Sequence, residues 1–151
     1  MLVDVQGANI LAVIDRVSLT VIRRVALPGC DRDHGLVFDP AARLAFVACD
    51  GNAMLLTVDL DSWQVIDKHR VGRDPNVLAD DPSTHRLYVA AESDWLTILD
   101  EHGRHLTVTG SGPLAPDAYV VAVDAGTHRS SLPVPAGRDG RPTLLAFDTT
   151  S

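Results

Sequence analysis

Short apolar runs divided by polar turn residues fill this chain from end to end. Leu36 to Phe38, Leu44 to Cys49 and Met54 to Val58 are three such runs. They stop at Asp39-Pro40-Ala41-Ala42, at Asp50-Gly51-Asn52 and at Asp59-Leu60-Asp61-Ser62. Asp and Asn side chains bond to nearby backbone and Pro presets φ, so each break reads as a turn between strands. Trp63 to Val71 supplies a fourth strand, ended by Gly72-Arg73-Asp74-Pro75. The dense run Leu36 to Phe38 predicts a strand buried on both faces. The order then returns, with Asp81-Pro82-Ser83-Thr84, Glu92-Ser93-Asp94 and Glu101-His102-Gly103 as its breaks. No segment holds helical spacing beyond two turns, so the expected class is all-β.

The recurrence is a true repeat. An apolar cluster ending in Asp falls at Asp39, Asp81 and Asp124, and an Arg follows each at Arg43, Arg86 and Arg129. A second landmark, an apolar residue and then Asp, falls at Ile14-Asp15, Val58-Asp59, Leu99-Asp100 and Phe147-Asp148. Four strands per roughly 42 residues, with turns every 8–12, fit the blade of a β-propeller better than a sandwich. One blade cannot bury its own faces, so blades must stack on their neighbours. The ends read as incomplete. Leu2 to Val5, Ile10 to Asp15 and Leu19 to Leu27 resemble strands two to four of a blade, and Val120 to Asp124, Arg129 to Pro133 and Leu144 to Asp148 resemble strands one to three. The expected organisation is one repeat domain over 1–151, an incomplete propeller with a partial blade 1–27, blades 28–71 and 72–109, and a partial blade 110–151.

Several of these pieces resemble the bacterial YVTN-type (YncE-like) β-propeller repeats. Val71-Gly72-Arg73-Asp74-Pro75 is similar to that family's Val-Gly-x-x-Pro blade link, and Leu87-Tyr88-Val89-Ala90-Ala91 and Ala45-Phe46-Val47-Ala48-Cys49 to its Tyr-Val-x-x strand. The resemblance implies a seven-bladed ring and export to the periplasm or outside the cell. This chain departs from it in holding about half the blades. Truncation, self-association that completes a ring, and a small stand-alone stack are the explanations that length allows. Because unpaired sheet edges invite aggregation, a homo-oligomer or poor behaviour in isolation is expected.

Charge narrows the partners. The 151 residues carry 13 Lys plus Arg against 20 Asp plus Glu, a net −7. Nucleic-acid binding needs a basic face, and anionic membranes attract one, so both partners are disfavoured. The 46% apolar content argues against wholesale disorder, while no apolar run reaches the ~18 residues of a membrane helix. No signal peptide is read at Met1, where the basic, apolar and small-residue sequence of regions is missing.

Candidate chemistry gathers at strand starts. Counting five residues back from Asp39, Asp81 and Asp124 reaches His34, Asn76 and Tyr119. In a propeller the first strand lines the central channel, so these side chains are expected to ring its mouth, where convergent polar groups bind ligands. Asp31, Asp33 and Asp74 in the adjoining links add acidic candidates. Capping of the strand or contact with water is the plainer role for all of them. Cys30 and Cys49 stand at neighbouring ends of one hairpin, which suits a disulfide, with two buried reduced thiols as the alternative. A bond there implies an oxidising compartment.

No zinc, haem-attachment, phosphate-loop or nucleophile-elbow motif is present, so no metal, cofactor or catalytic residue is assigned. His102 and His105 straddle a Gly turn, and Trp63 and Trp95 are assigned to packing between blades. The Gly- and Pro-rich stretch Thr109 to Asp117 reads as a surface loop at the channel rim, and Pro133 to Pro142 as a long hairpin turn. The expected function is a non-enzymatic binding or interaction scaffold for a small ligand or a protein. An enzyme of lactonase-like or cofactor-dependent type with its site at the channel, or a nucleic-acid-binding propeller, are the alternatives, since the fold hosts many roles.

Overall fold

A computed structural model describes residues 1–148. Four antiparallel sheets follow one another along the chain. The first holds β1 (Leu2–Val5), β2 (Ile10–Ile14) and β3 (Val21–Ala26). The second holds β4 (Asp33–Asp39), β5 (Leu44–Cys49), β6 (Met54–Asp59) and β7 (Gln64–Arg70). In the third are β8 (Pro75–Asp81), β9 (Arg86–Ala91), β10 (Trp95–His102) and β11 (His105–Pro113), and in the fourth β12 (Ala122–Asp124), β13 (Arg129–Val134) and β14 (Thr143–Asp148). Within each sheet every strand pairs with its sequence neighbour. The recurring Asp makes this order. Asp39 Oδ1 accepts the N–H groups of Ala41 and Ala42, Asp81 Oδ1 that of Ser83, and Asp124 Oδ1 that of Gly126. Asp15 and Asp59 cap the turns after β2 and β6 in the same way. Each first hairpin then closes through a left-handed residue, at Arg43, His85 and His128.

That backbone match corrects the Arg landmark. Arg43 stands where His85 and His128 stand, and it is Leu44 that pairs across from Asp39 as Arg86 does from Asp81 and Arg129 from Asp124. Arg86 and Arg129 reach the Asp of the third strand, Asp100 and Asp148, each at 2.8 Å, while Arg43 turns to Asp61.

Three apolar clusters glue the sheets face to face. Leu11, Val25 and Leu27 of the first meet Val47, Leu56 and Val58 of the second. On the far side of that sheet, Leu44, Phe46 and Leu55 meet Leu87, Val89 and Leu99. Ala79, Tyr88 and Ala90 then meet Val121 and Leu132. The first strands gather on one side, β4 beside β8 and β8 beside β12, which is the arrangement of blades around an axis. The structure is an incomplete propeller of blade-like sheets. β1 lies beside β4 much as β5 lies beside β8, so it holds a second-strand position.

Two expectations change. The strands buried on both faces are the second ones: all six residues of β5 are buried, as are Leu87 to Ala91 of β9. A second strand has a paired neighbour on either edge and a sheet over either face, whereas the first strand is an edge. Leu36 and Val37 are half-buried and Phe38 is 52% exposed, because it faces the side where the first sheet has only β1. The stretch after Thr109 is also more regular than expected. β11 continues to Pro113, which pairs with Trp95, and the loop proper begins beyond it. Trp63 packs between the first two sheets, with Arg23 over its ring at 5.2 Å, and His102 and His105 pair across their turn.

Candidate functional site

The strand-start residues stand at backbone irregularities. β4 shifts register between Asp33 and Gly35, and β8 between Pro75 and Val77, so His34 and Asn76 are the extra residues of two matching bulges. The two strands touch here: a side chain at Gly35 would run into the Asn76 carbonyl at 2.4 Å. His34 is exposed, and the Asn76 amide donates to Glu92 Oε1 at 2.9 Å. Asp31 lies exposed against Gly51, and Asp74 lines a cleft of about 320 Å³ with Asp50, Arg70 and Arg73.

The other candidates go elsewhere. Asp33 is fully buried, accepts the Val5 N–H at 2.9 Å, and ties the second sheet to the first; burial pushes its carboxyl above the usual range. Tyr119 sits in a separate cleft with Asp117 and Pro133. Cys30 and Cys49 are bonded to each other, with their Cα atoms 5.3 Å apart inside the first apolar cluster.

At the opposite end of β4 and β8 is a group that the strand-start reasoning missed. Oxygens of Asp39, Asp80 and Glu101 lie within 4.8 Å of one another between the second and third sheets. Alternation along the strands explains the meeting. Val37 faces the third sheet, so Asp39, two residues on, does too; Leu78 and Leu99 face the second, and so do Asp80 and Glu101. Asp39 is 2% and Glu101 6% exposed. Both Asp80 oxygens and Glu101 Oε1 are buried with no N–H or hydroxyl donor, and the two carboxyl groups lie close enough to share a proton. Burial first, then the charges of Glu101, Asp39 and Asp81, push Asp80 up to about 7. Burial and then the Asp39 charge raise Glu101 to about 7 as well. Such a donor set is oxygen-only and strongly negative, suited to a hard cation or to a retained proton.

A signal for this group did exist, as a break in the repeat. Asp80 occupies the place of Phe38 and Val123, and Glu101 that of Leu60 in the preceding blade. Phe38 and Leu60 line one apolar cleft facing the first sheet. One blade thus carries an apolar pair where the next carries two acids.

No protein-family model matches the sequence, and no curated protein does either. Solved structures match strongly in shape. A Kuenenia stuttgartiensis hydrazine synthase chain aligns over 97% of this chain with a TM-score of 0.82 at 14% identity. A mitotic checkpoint complex chain aligns over 95% at 0.74 and 12%, and the dihydro-haem d1 dehydrogenase NirN over 97% at 0.70 and 21%. This chain spans 42%, 44% and 34% of their respective lengths. These neighbours are β-propeller proteins, two of them enzymes by name and one a chain of a mitotic checkpoint complex. At such identities the likeness is one of fold, and the fold of this chain is that of a β-propeller.

Proposed function

We propose that the chain is a binding scaffold of the YVTN type, a wedge of blades that works within a closed ring. A second copy supplies the blades that flank it, and the channel mouth at His34 and Asn76 is the surface it offers to a ligand. The observation that supports this is where apolar side chains remain uncovered. Among the described residues, the large exposed hydrophobics other than Phe38 and Val108 belong to the end sheets and the turns and loops beside them. Ile22 at 64% and Leu144 at 62% are examples from the first and last sheets. Inside the chain the corresponding faces are sealed by the next blade, and contiguous uncovered apolar surface marks an interaction site.

Light scattering coupled to size exclusion tests the reading. The expected mass is twice that of one chain, and Ile22→Asp with Leu144→Asp is expected to halve it, since a buried unpaired charge opposes docking. A wild-type protein that stays monomeric across concentrations overturns the ring.

A further inference from the structure

We propose that Asp39, Asp80 and Glu101 form a binding site for a hard divalent cation, calcium in the first instance, that clamps the second sheet to the third. Two independent observations meet here. The first is geometric: three carboxylate oxygens from two different sheets fall within 4.8 Å of one another, a spacing that one cation can bridge. Calcium–oxygen bonds of about 2.3–2.6 Å and a tolerant geometry suit it better than magnesium, whose bonds are about 2.0–2.1 Å.

The second observation is the orphaned Glu101. Among the described residues its side chain is one of the most buried charged groups, at 6% exposure, and its buried Oε1 finds no N–H or O–H donor, its side chain meeting only the Asp80 carboxyl. Buried polar atoms without partners are rare in native structures and ask for an explanation. Neither oxygen of Asp80 has an N–H or hydroxyl donor, and the Asp39 Oδ1 atom is already engaged by the Ala41 and Ala42 N–H groups of its turn. The charges acting most strongly on Asp80 are all acidic, those of Glu101, Asp39 and Asp81. Burying several carboxylates together is costly unless a positive charge joins them.

The repeat itself adds weight. The same two places in the second sheet hold Phe38 and Leu60, so an apolar pair suffices for the blade fold there. Two acids at this place in the third sheet, opposite a third acid, are an addition to what the fold requires. Binding to the folded state alone would stabilise the chain by mass action.

The test uses chelator-treated full-length protein with calcium chloride as the probe and magnesium chloride as the size control. Calorimetry is expected to find one calcium per chain, with a dissociation constant near the ~10⁻⁴–10⁻³ M of weakly caged carboxylate sites. Tm should rise with millimolar calcium and less with magnesium. Glu101→Gln keeps the shape and removes one charge, and should weaken calcium binding by about ten-fold or more. The double variant Asp80→Asn with Glu101→Gln keeps both side-chain shapes and removes both charges. It should fold, show a metal-free Tm at or above wild type, and lose the calcium response. A wild-type Tm and heat signal unmoved by either cation would mean that the acids merely share protons, and overturns the site. So does a calcium response that survives in Glu101→Gln or in the double variant at full strength.

Discussion

Phe46→Ala is expected to destabilise the protein by about 3–5 kcal/mol. Phe46 is fully buried on β5, with Val37 and Thr57 as its cross-strand partners. Its ring fills the seam between the second and third sheets with Leu44, Leu55, Leu87, Val89 and Leu99. Truncation removes the apolar transfer contribution and leaves a cavity that two packed sheets cannot close. Urea unfolding is the measurement, with the midpoint falling while the slope stays constant. Phe38→Ala in the neighbouring strand is the internal comparison. That ring is 52% exposed, so its loss should cost less than about 1 kcal/mol. Equal losses for the two phenylalanines would show that the blades are not stacked in this way.

Cys30→Ala with Cys49→Ala is expected to cost about 3 kcal/mol. The bond closes a separation of 19 residues, and in the chain-entropy view it removes that freedom from the unfolded chain. It also joins the segment before β4 to the end of β5 inside the first apolar cluster. Reduction of the wild-type protein should therefore lower the unfolding midpoint toward that of the double variant. A midpoint unaltered by reduction would mean that the link contributes nothing beyond the packing of its two sulfurs. Once the bond is reduced, the Cys49 thiol, fully buried, should be slower to react with a thiol reagent in the folded state than in denaturant.

Much of the architecture was legible along the chain because its causes are short-ranged. Asp39, Asp81 and Asp124 each bind the backbone two residues ahead, and that local chemistry ends a strand wherever it recurs. The sheets of three, four, four and three strands follow from such turns. The Arg landmark misled because residue spacing in sequence ignores which residue takes the left-handed place in the turn, Arg43 in one copy and His85 in the next. The length of β11 was hidden by Gly110, Gly112 and Pro113, residues that usually break strands. Here they pair along an outer edge, where a missing N–H or side chain costs little.

Burial was less legible than pairing. Phe38 sits in an apolar run like that of Phe46, yet one is half-exposed and the other sealed. The difference is the neighbour: Phe46 meets a complete third sheet, and Phe38 looks toward β1 in the second-strand position. The strand-start residues divided for a related reason. His34 and Asn76 were brought to touching strands by matching bulges, whereas Asp33 turned inward to the Val5 N–H.

From its residues alone, this protein was committed to short antiparallel strands, to a repeat of about 42 residues, and to the places where each hairpin turns, since backbone and side chain settle those within a few positions. Tertiary structure decided which faces were covered and which acids met. Asp39, Asp80 and Glu101 are distant in sequence and became neighbours only when the second and third sheets stacked. Stacking sets the offset between blades, and that offset, which no local preference encodes, determines what a side chain sees across the gap.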